Sequence, residues 1–185
     1  MNFNELRLDF SIKQKKGLHF ILASVIIWSA LLIIHLTALP PITKNLLTFF
    51  CTAPLMPLAL LFSKLIRVTF QDKENPLAKL GILFSLNQML YLPIAMWAYP
   101  TVPDKMLMIM AIIFGAHLLP FGWLYISRAY TALAIAIPIL ALIAGIYFKP
   151  SILALMMLLI EILFCFLLVQ ENRSNSSSKS GSSDL

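Results

Sequence analysis

The chain has 185 residues, a formal net charge of +6 and a hydrophobic content of 60%. Soluble domains are usually about 45–50% apolar, and the mean hydropathy of this chain is +0.88. The apolar residues form blocks long enough to cross a bilayer. The composition therefore excludes an ordinary soluble fold and predicts an all-α integral membrane bundle. No nucleic-acid-binding motif accompanies the basic residues, so we expect no nucleic-acid partner.

The first predicted domain, residues 1–16, is a short basic segment. Its sequence, MNFNELRLDFSIKQKK, places Phe3, Leu6 and Phe10 on one face of a helix. A helix of this kind lies flat at the membrane surface, with its lysines at the lipid headgroups. A frayed N-terminal tail is the alternative, and the sequence does not decide between the two.

Residues 17–169 form the predicted transmembrane domain, a bundle of six helices. The spans are predicted at residues 17–37, 46–66, 77–99, 106–126, 131–148 and 151–169. Because proline removes a backbone donor, Pro54 and Pro57 predict a kink in the second span and Pro93 loosens the third. The remaining residues, 170–185, are rich in serine and poor in apolar side chains, which predicts a disordered tail.

The distribution of Lys and Arg predicts the orientation of the bundle, because these residues concentrate on the cytoplasmic side of membranes. They are frequent in the N-terminal segment, around the loop between the second and third spans, and after the sixth span. They are sparse in the loops on the other side. An even number of spans agrees with this pattern, so we expect both termini in the cytoplasm.

Polar side chains interrupt the third, fourth and sixth spans near their middles. At a rise of about 1.5 Å per residue, Asn87, Gln88, His117 and Glu161 fall within roughly 5 Å of one depth. An intramembrane ionisable residue should face the bundle interior and find a partner. Glu161 and His117 are the natural candidates for each other, and the two amides can complete their hydrogen bonds.

The full set of predicted ligand-binding residues adds two neighbours to this cluster. Tyr91 lies one helical turn from the amides, and Arg128 is placed to guard an inner entrance. The set is Asn87, Gln88, Tyr91, His117, Arg128 and Glu161. Polar residues also hold membrane helices together, through hydrogen bonds worth about 0.6–2 kcal/mol. A purely structural cluster is therefore the alternative interpretation.

Small residues recur at four-residue spacing in the fourth and fifth spans. Ala111 and Gly115 show this spacing in the fourth span, and Ala141 and Gly145 in the fifth. Faces of this kind let helices pack closely. The sequence leaves open whether they pack within one chain or between chains, so a homo-oligomer or another membrane protein is a possible partner.

The chemical signatures of common metalloenzymes and hydrolases are absent from the sequence. It contains no H-E-x-x-H, no metal-spaced His/Cys cluster, no nucleophile elbow and no phosphate-binding glycine loop. We therefore expect no metal and no cofactor. The partners that we expect are the lipid bilayer and a small-molecule or ion ligand. His19 and His35 lie near the two ends of the first span and are expected at the membrane interfaces.

A resemblance to a known family lies in three segments, which read KKGLHFILASVIIW, NPLAKLGILFSLNQMLY and FGAHLLPFGWLY. They resemble an uncharacterised family of small six-span membrane proteins from Bacillus-like bacteria. The resemblance extends to about Gln170 and implies a multi-pass protein of a bacterial plasma membrane. It implies no activity.

Three functions are consistent with these patterns. The leading hypothesis is binding or transport of a small molecule or ion through the polar cluster, with Glu161 as the titrating group. It predicts a cavity that reaches the cluster. The second is a membrane subunit or regulatory protein that acts through its small-residue faces and keeps the cluster packed. The third is an intramembrane enzyme that uses His117 and Glu161 as an acid–base pair, about 3 Å apart or bridged by one water.

Overall fold

The computed structural model describes residues 2–70 and 75–180, with side chains up to Ser174. Within this part of the chain every regular element is helical. The helices are α1 Phe3–Lys13, α2 Leu18–Leu36, α3 Pro41–Thr52, α4 Leu55–Leu65, α5 Ala78–Met89, α6 Leu92–Thr101, α7 Met106–Leu124, α8 Arg128–Tyr147 and α9 Pro150–Ser180. The prediction of an all-α protein is confirmed.

Five helices are long and apolar enough to cross a membrane, and the count rises to six if the bent pair α3–α4 is one span. The α5–α6 stretch counts among the five as a single element, Ala78–Thr101. Each predicted span has a helical counterpart whose ends agree within a few residues, apart from the start of the second span and the end of the sixth. The architecture is therefore compatible with membrane insertion.

Prolines mark the interruptions in the second and third spans. The axes of α3 and α4 are bent by 41° at a break that contains Pro54. α5 ends at Met89, and α6 begins at Leu92 with Pro93 in its first turn, where the missing N–H of proline costs nothing. Pro120 and Pro138 lie inside α7 and α8, which remain continuous helices. The predicted break in the second span is thus present.

The close packing of α7 against α8 uses the small residues noted in the sequence. A Cβ atom on Gly115 would lie 2.6 Å from Ile137 Cγ2, and one on Gly145 would lie 2.4 Å from Met108 Cγ. Ala111 and Ala141 are fully buried. These four small residues therefore pack α7 against α8 within one chain, which answers the question left open by their spacing.

The N-terminal segment is a helix that packs against the bundle. In α1, Asn2 and Glu5 form a reciprocal capping box that satisfies the first backbone donors. Phe10 is buried and stacks on Tyr125 at the end of α7, with ring centroids 5.8 Å apart. The Arg7 guanidinium lies 4.3 Å from the centroid of the Trp123 ring and donates to the Trp123 carbonyl. The frayed tail is therefore the wrong alternative for the residues described.

The end of the sixth span differs from the sequence prediction. Disorder was predicted from residue 170, but α9 continues as a helix to Ser180. Contacts with the N-terminal segment explain the first part of this extension, because Glu171 binds Lys16 and the Asn172 amide donates to the Lys15 carbonyl. The final five residues of the predicted tail, 181–185, lie outside the described residues.

Candidate functional site

Glu161 lies in the middle of the buried face of α9. The apolar members of this face recur at helical spacing: Leu153, Ala154, Met157, Phe164 and Leu168. α9 packs along α2, and the exposed fraction of Glu161 is 0%. The prediction that this carboxyl faces the bundle interior is confirmed. Glu161 is thus an ionisable residue at a position where the helical periodicity of α9 favours an apolar side chain.

The Glu161 carboxyl has no hydrogen-bond partner among the described residues, at either oxygen. The Ser24 hydroxyl on α2 is close enough to interact with it, although no contact reaches hydrogen-bonding geometry. Tyr130 and Cys165 are electrostatic neighbours of the same carboxyl. A buried carboxylate without a partner is strongly unfavourable, which makes Glu161 exceptional among the described acidic residues.

The predicted pairing of Glu161 with His117 is not present in the structure. The His117 ring, on α7, is half-buried, and its Nδ1 lies 2.5 Å from the carbonyl of Phe114 on the same helix. The ring packs between Phe114 and Phe121, with centroids 5.5 and 5.9 Å away. The neighbours of the His117 imidazole are therefore the Phe114 carbonyl and two aromatic rings, and not the Glu161 carboxyl. Equal depth in the membrane did not imply contact.

The other predicted ligand residues lie on outer surfaces of the bundle. Asn87 and Tyr91 are exposed and contact each other, with Asn87 Nδ2 3.3 Å from Tyr91 Oη. Gln88 is half-buried, and Arg128 is exposed at the first residue of α8. No hydrogen bond among the described residues joins any of these four to His117 or Glu161. Apart from the contact between Asn87 and Tyr91, the described residues show no hydrogen bond that joins the six predicted residues to one another, and their role as ligands stays a prediction.

The two histidines of α2, His19 and His35, are both buried. The exposed fraction of His19 is 0%, and neither ring nitrogen has a hydrogen-bond partner in the described part of the chain. Its ring packs on Phe20 and Phe70, with centroids 4.4 and 5.6 Å away. His35 is 8% exposed and places Nε2 3.3 Å from Thr48 Oγ1. Both lie near the ends of α2, and their location at the membrane interfaces stays a prediction.

A polar contact that the sequence did not reveal lies where the N-terminal segment meets the α7–α8 turn and α9. We name it the Glu171 junction, and it consists of Lys16, Ser127, Ala129 and Glu171. The Glu171 carboxylate accepts from Lys16 Nζ at 2.8 Å, from Ser127 Oγ at 2.7 Å and from the backbone N–H of Ala129 at 3.0 Å. The carboxylate thereby satisfies a free donor in the first turn of α8.

The backbone beside the Glu171 junction is strained. Lys15, Lys16 and Gly17 have φ angles of 45°, 52° and 69°, in the left-handed region. Side chains other than glycine pay about 1–2 kcal/mol there. Contacts across the chain hold this turn, because Lys15 Nζ donates to the Ile66 carbonyl at 2.6 Å and Lys16 binds Glu171. The junction is therefore a structural anchor between the beginning of α2 and the end of α9.

Two cavities lie at opposite ends of α2, and neither is lined by any of the six predicted residues. One, of about 330 Å³, is almost entirely apolar and is bordered by Phe10, Phe20, Phe121 and Tyr125 among others. The other, of about 190 Å³, is bordered by polar residues at the ends of helices. Transport of a solute would require a cavity at Glu161, and Glu161 lines neither of these two cavities.

The described residues contain no group of three or more His, Cys, Asp or Glu side chains that could hold a metal ion. Cys51 and Cys165 are free thiols. The unpartnered ionisable groups buried in the described part of the interior therefore include the Glu161 carboxyl on α9 and the His19 imidazole on α2.

The sequence matches a known protein family over most of its length. The match is to a family of unknown function, DUF7010, and it covers residues 3–171. The chain belongs to the DUF7010 family. The matched range takes in α1, all the membrane-like helices and the Glu171 junction. The resemblance to an uncharacterised family is therefore confirmed. No curated protein and no solved structure matches the chain.

Proposed function

We propose that this DUF7010 protein is a multi-pass membrane protein that binds and releases a cation at Glu161, and that the cation is a proton. The observation that supports the proposal is the isolation of the Glu161 carboxyl, which is fully buried and unpartnered. An ionised carboxylate in an apolar interior costs several kcal/mol unless it is paired. Uptake of a positive charge removes that cost.

The tight packing around Glu161 favours a proton over a larger ligand. Neither cavity described above is lined by Glu161, and its neighbours Met157 and Phe164 are completely buried. A solute would need an open space of its own, whereas a proton needs only a transient path to the carboxyl. Intramembrane carboxyls serve as proton-binding groups in pumps and transporters.

The proposed location is a bacterial plasma membrane, with both termini in the cytoplasm. The distribution of Lys and Arg supports this orientation. The Glu171 junction supports it as well, because it places the two ends of the chain at the same end of the bundle through the contact of Lys16 with Glu171. The bacterial origin rests on the resemblance of the sequence segments.

The two other hypotheses lose observations on which they depended. The small residues Gly115 and Gly145 pack within the chain, so they do not offer a free face to a partner. The acid–base pair of an enzyme calls for His117 and Glu161 about 3 Å apart or bridged by one water, and the described residues show no direct hydrogen bond between them. A regulatory subunit remains the alternative, because a packed interior is what it predicts.

The substitution Glu161→Gln separates a proton-binding role from a structural one. Gln keeps the shape of the side chain and loses the ionisable group. We expect the variant to unfold at the same temperature as the wild-type protein or higher, because an unpaired carboxyl contributes no stability there. We also expect infrared difference spectra between two pH values to contain a carboxyl band in the wild-type protein that is absent from the variant. Thermal unfolding in detergent and infrared spectroscopy measure the two effects.

The matched control is Glu5→Gln, which removes a carboxyl from the exposed N-terminus of α1. It should leave the buried carboxyl band unchanged. A loss of several kcal/mol in Glu161→Gln together with unchanged difference spectra would show that the carboxyl is a structural element and would contradict the proposal.

A further inference from the structure

The polar cavity lies at the end of α2 that is remote from the Glu171 junction. Its border contains His35 at the end of α2, Lys44 and Asn45 in α3, and Lys149 and Ser151 around the start of α9. Pro41, Pro103, Asp104 and Pro150 complete it. The cavity thus joins four separate parts of the chain, all of them at the ends of helices.

The charged residues of this cavity are unbalanced in favour of the positive sign. Lys44 and Lys149 face a single acid, Asp104. The side chains of Lys149 and Asp104 are both exposed and have no hydrogen bond or ion pair with the described part of the chain. Lys105, which is close in sequence, is not available because its Nζ donates to the Gly145 carbonyl at 2.7 Å. The cavity therefore offers one more cation than anion.

The walls of the cavity are fixed by internal hydrogen bonds. The buried Asn45 donates from Nδ2 to the Pro103 carbonyl at 2.8 Å, which ties α3 to the turn before α7. Lys44 Nζ is 3.3 Å from the carbonyl of His35, and the buried His35 ring uses Nε2 on Thr48. This leaves His35 Nδ1 without a partner among the described residues. The cavity is consequently a preformed space with a buried imidazole in its wall.

The backbone adds to the positive character of the site. α3 begins at Pro41 with no side-chain cap, and neither α3 nor α9 has an acidic residue in its first turn. Helix N-termini carry partial positive charge. The start of α3 at the cavity border therefore reinforces the two lysines.

The size and depth of the cavity define what it can hold. Its volume of about 190 Å³ is smaller than the roughly 300–1,000 Å³ of pockets for drug-sized ligands, so it suits one small polar group. α2 has 19 residues, which at 1.5 Å each span about 28 Å, close to the roughly 30 Å of a bilayer core. Since the Glu171 junction lies at one end of α2, the cavity at its other end falls at the level of the opposite headgroups.

The structure assigns this cavity as a binding site for a phosphate group of single negative charge, held between Lys44 and Lys149. Basic pockets between transmembrane helices bind phospholipid headgroups in this way. A phospholipid and a free phosphate compound share this chemistry, and the excess of one positive charge suits either. The inference is independent of Glu161, which lies in the interior of the bundle.

Binding to the purified full-length protein in an uncharged detergent tests the assignment at constant ionic strength. The two probes are dihexanoyl phosphatidylglycerol below its micellar concentration and sodium phosphate, each followed by broadening of its phosphorus NMR signal. We expect the double variant Lys44→Gln/Lys149→Gln to weaken binding by about tenfold or more through loss of charge-assisted hydrogen bonds. Asp104→Asn should tighten binding by roughly threefold, because it removes the one opposing charge.

The matched control is Lys64→Gln/Lys79→Gln, which removes the same charge from exposed positions outside the cavity. The single variant Lys149→Gln keeps the test valid if the loss of Lys44 disturbs folding. Binding of phosphatidylglycerol alone supports the assignment with a lipid as the source, and binding of inorganic phosphate supports it with a free phosphate as the source. Absence of binding by both probes, or equal weakening in the two double variants, overturns it.

Discussion

Replacing Glu171 by alanine is expected to destabilise the protein by about 2–3 kcal/mol, below the roughly 3–5 kcal/mol lost when one partner of a fully buried ion pair is removed, because Glu171 is only half-buried. The reason lies in the Glu171 junction. The exposed fraction of Lys16 is 4%, so its ammonium would stay buried without a counter-ion. Ser127 and the backbone N–H of Ala129 would lose their acceptor at the same time. Thermal unfolding in detergent measures the loss.

Companion variants separate the parts of this effect. Glu171→Gln keeps one acceptor oxygen, for either Ser127 or Ala129 but not both, and should still cost less than the alanine variant. Lys16→Met combined with Glu171→Ala removes the stranded charge and should recover part of the loss. The control Asp9→Asn breaks an exposed ion pair with Lys13 and should cost less than about 1 kcal/mol. Equal stability of Glu171→Ala and Asp9→Asn would show that the junction does not hold the bundle.

The second large effect is expected from Gly115→Val, which should destabilise the contact between α7 and α8 by about 3 kcal/mol through overpacking. The Cβ atom alone would lie 2.6 Å from Ile137 Cγ2 and 2.7 Å from Pro138 Cδ. A β-branched side chain and a proline ring cannot move aside as a flexible side chain would. The helices would have to separate, and unfolding in detergent should begin at a lower temperature.

Ala116→Val provides the control for this substitution. Ala116 is the next residue of α7 and is exposed, so added methyl groups meet no protein atom. Helix propensity favours valine over glycine and disfavours it relative to alanine, so a larger loss of stability in Gly115→Val than in Ala116→Val reports packing. If Gly115→Val unfolds at the same temperature as Ala116→Val, the close approach of α7 to α8 is incorrect.

The sequence predicted the elements of the fold because apolar length and proline chemistry act locally. The fourth span was predicted at 106–126 and is observed at Met106–Leu124. The break that contains Pro54 follows from the missing N–H of proline, whatever the surroundings. Glu161 could be assigned to the interior from its charge alone, because a carboxyl facing lipid is too costly. Each of these predictions needed no knowledge of neighbouring helices.

The neighbours of each side chain could not be predicted because the spans are apolar on all sides. Leu31 and Ile33 are chemically similar residues of α2, yet Leu31 is 2% exposed and Ile33 is 66% exposed. Lipid and protein interior are equally apolar, so no hydrophobic contrast reveals which face of a helix packs inward. The sequence encodes the depth of each residue along its span, but it does not encode the rotation of the helix about its axis. For this reason His117 could be given the depth of Glu161 but not its neighbours.

The Glu171 junction was missed for a second reason. Lys16 and Glu171 are 155 positions apart in the sequence, and each looks like an ordinary charge flanking a span. Only the antiparallel packing of α2 along α9 brings the start of one helix to the end of the other. A polar residue that follows an apolar span is usually interpreted as a topological signal, and here it also carries tertiary contacts.

This junction has a consequence for how the protein is made. Lys16 leaves the ribosome early in synthesis, whereas Glu171 emerges only after the last membrane-like helix has been translated. Lys16, in the left-handed turn at Lys15–Gly17, therefore has no acceptor while the intervening helices are being synthesised. Completion of the contact coincides with completion of the bundle. A chain that stops before Glu171 would leave the Lys16 ammonium without its counter-ion and the Ala129 N–H at the start of α8 without its acceptor.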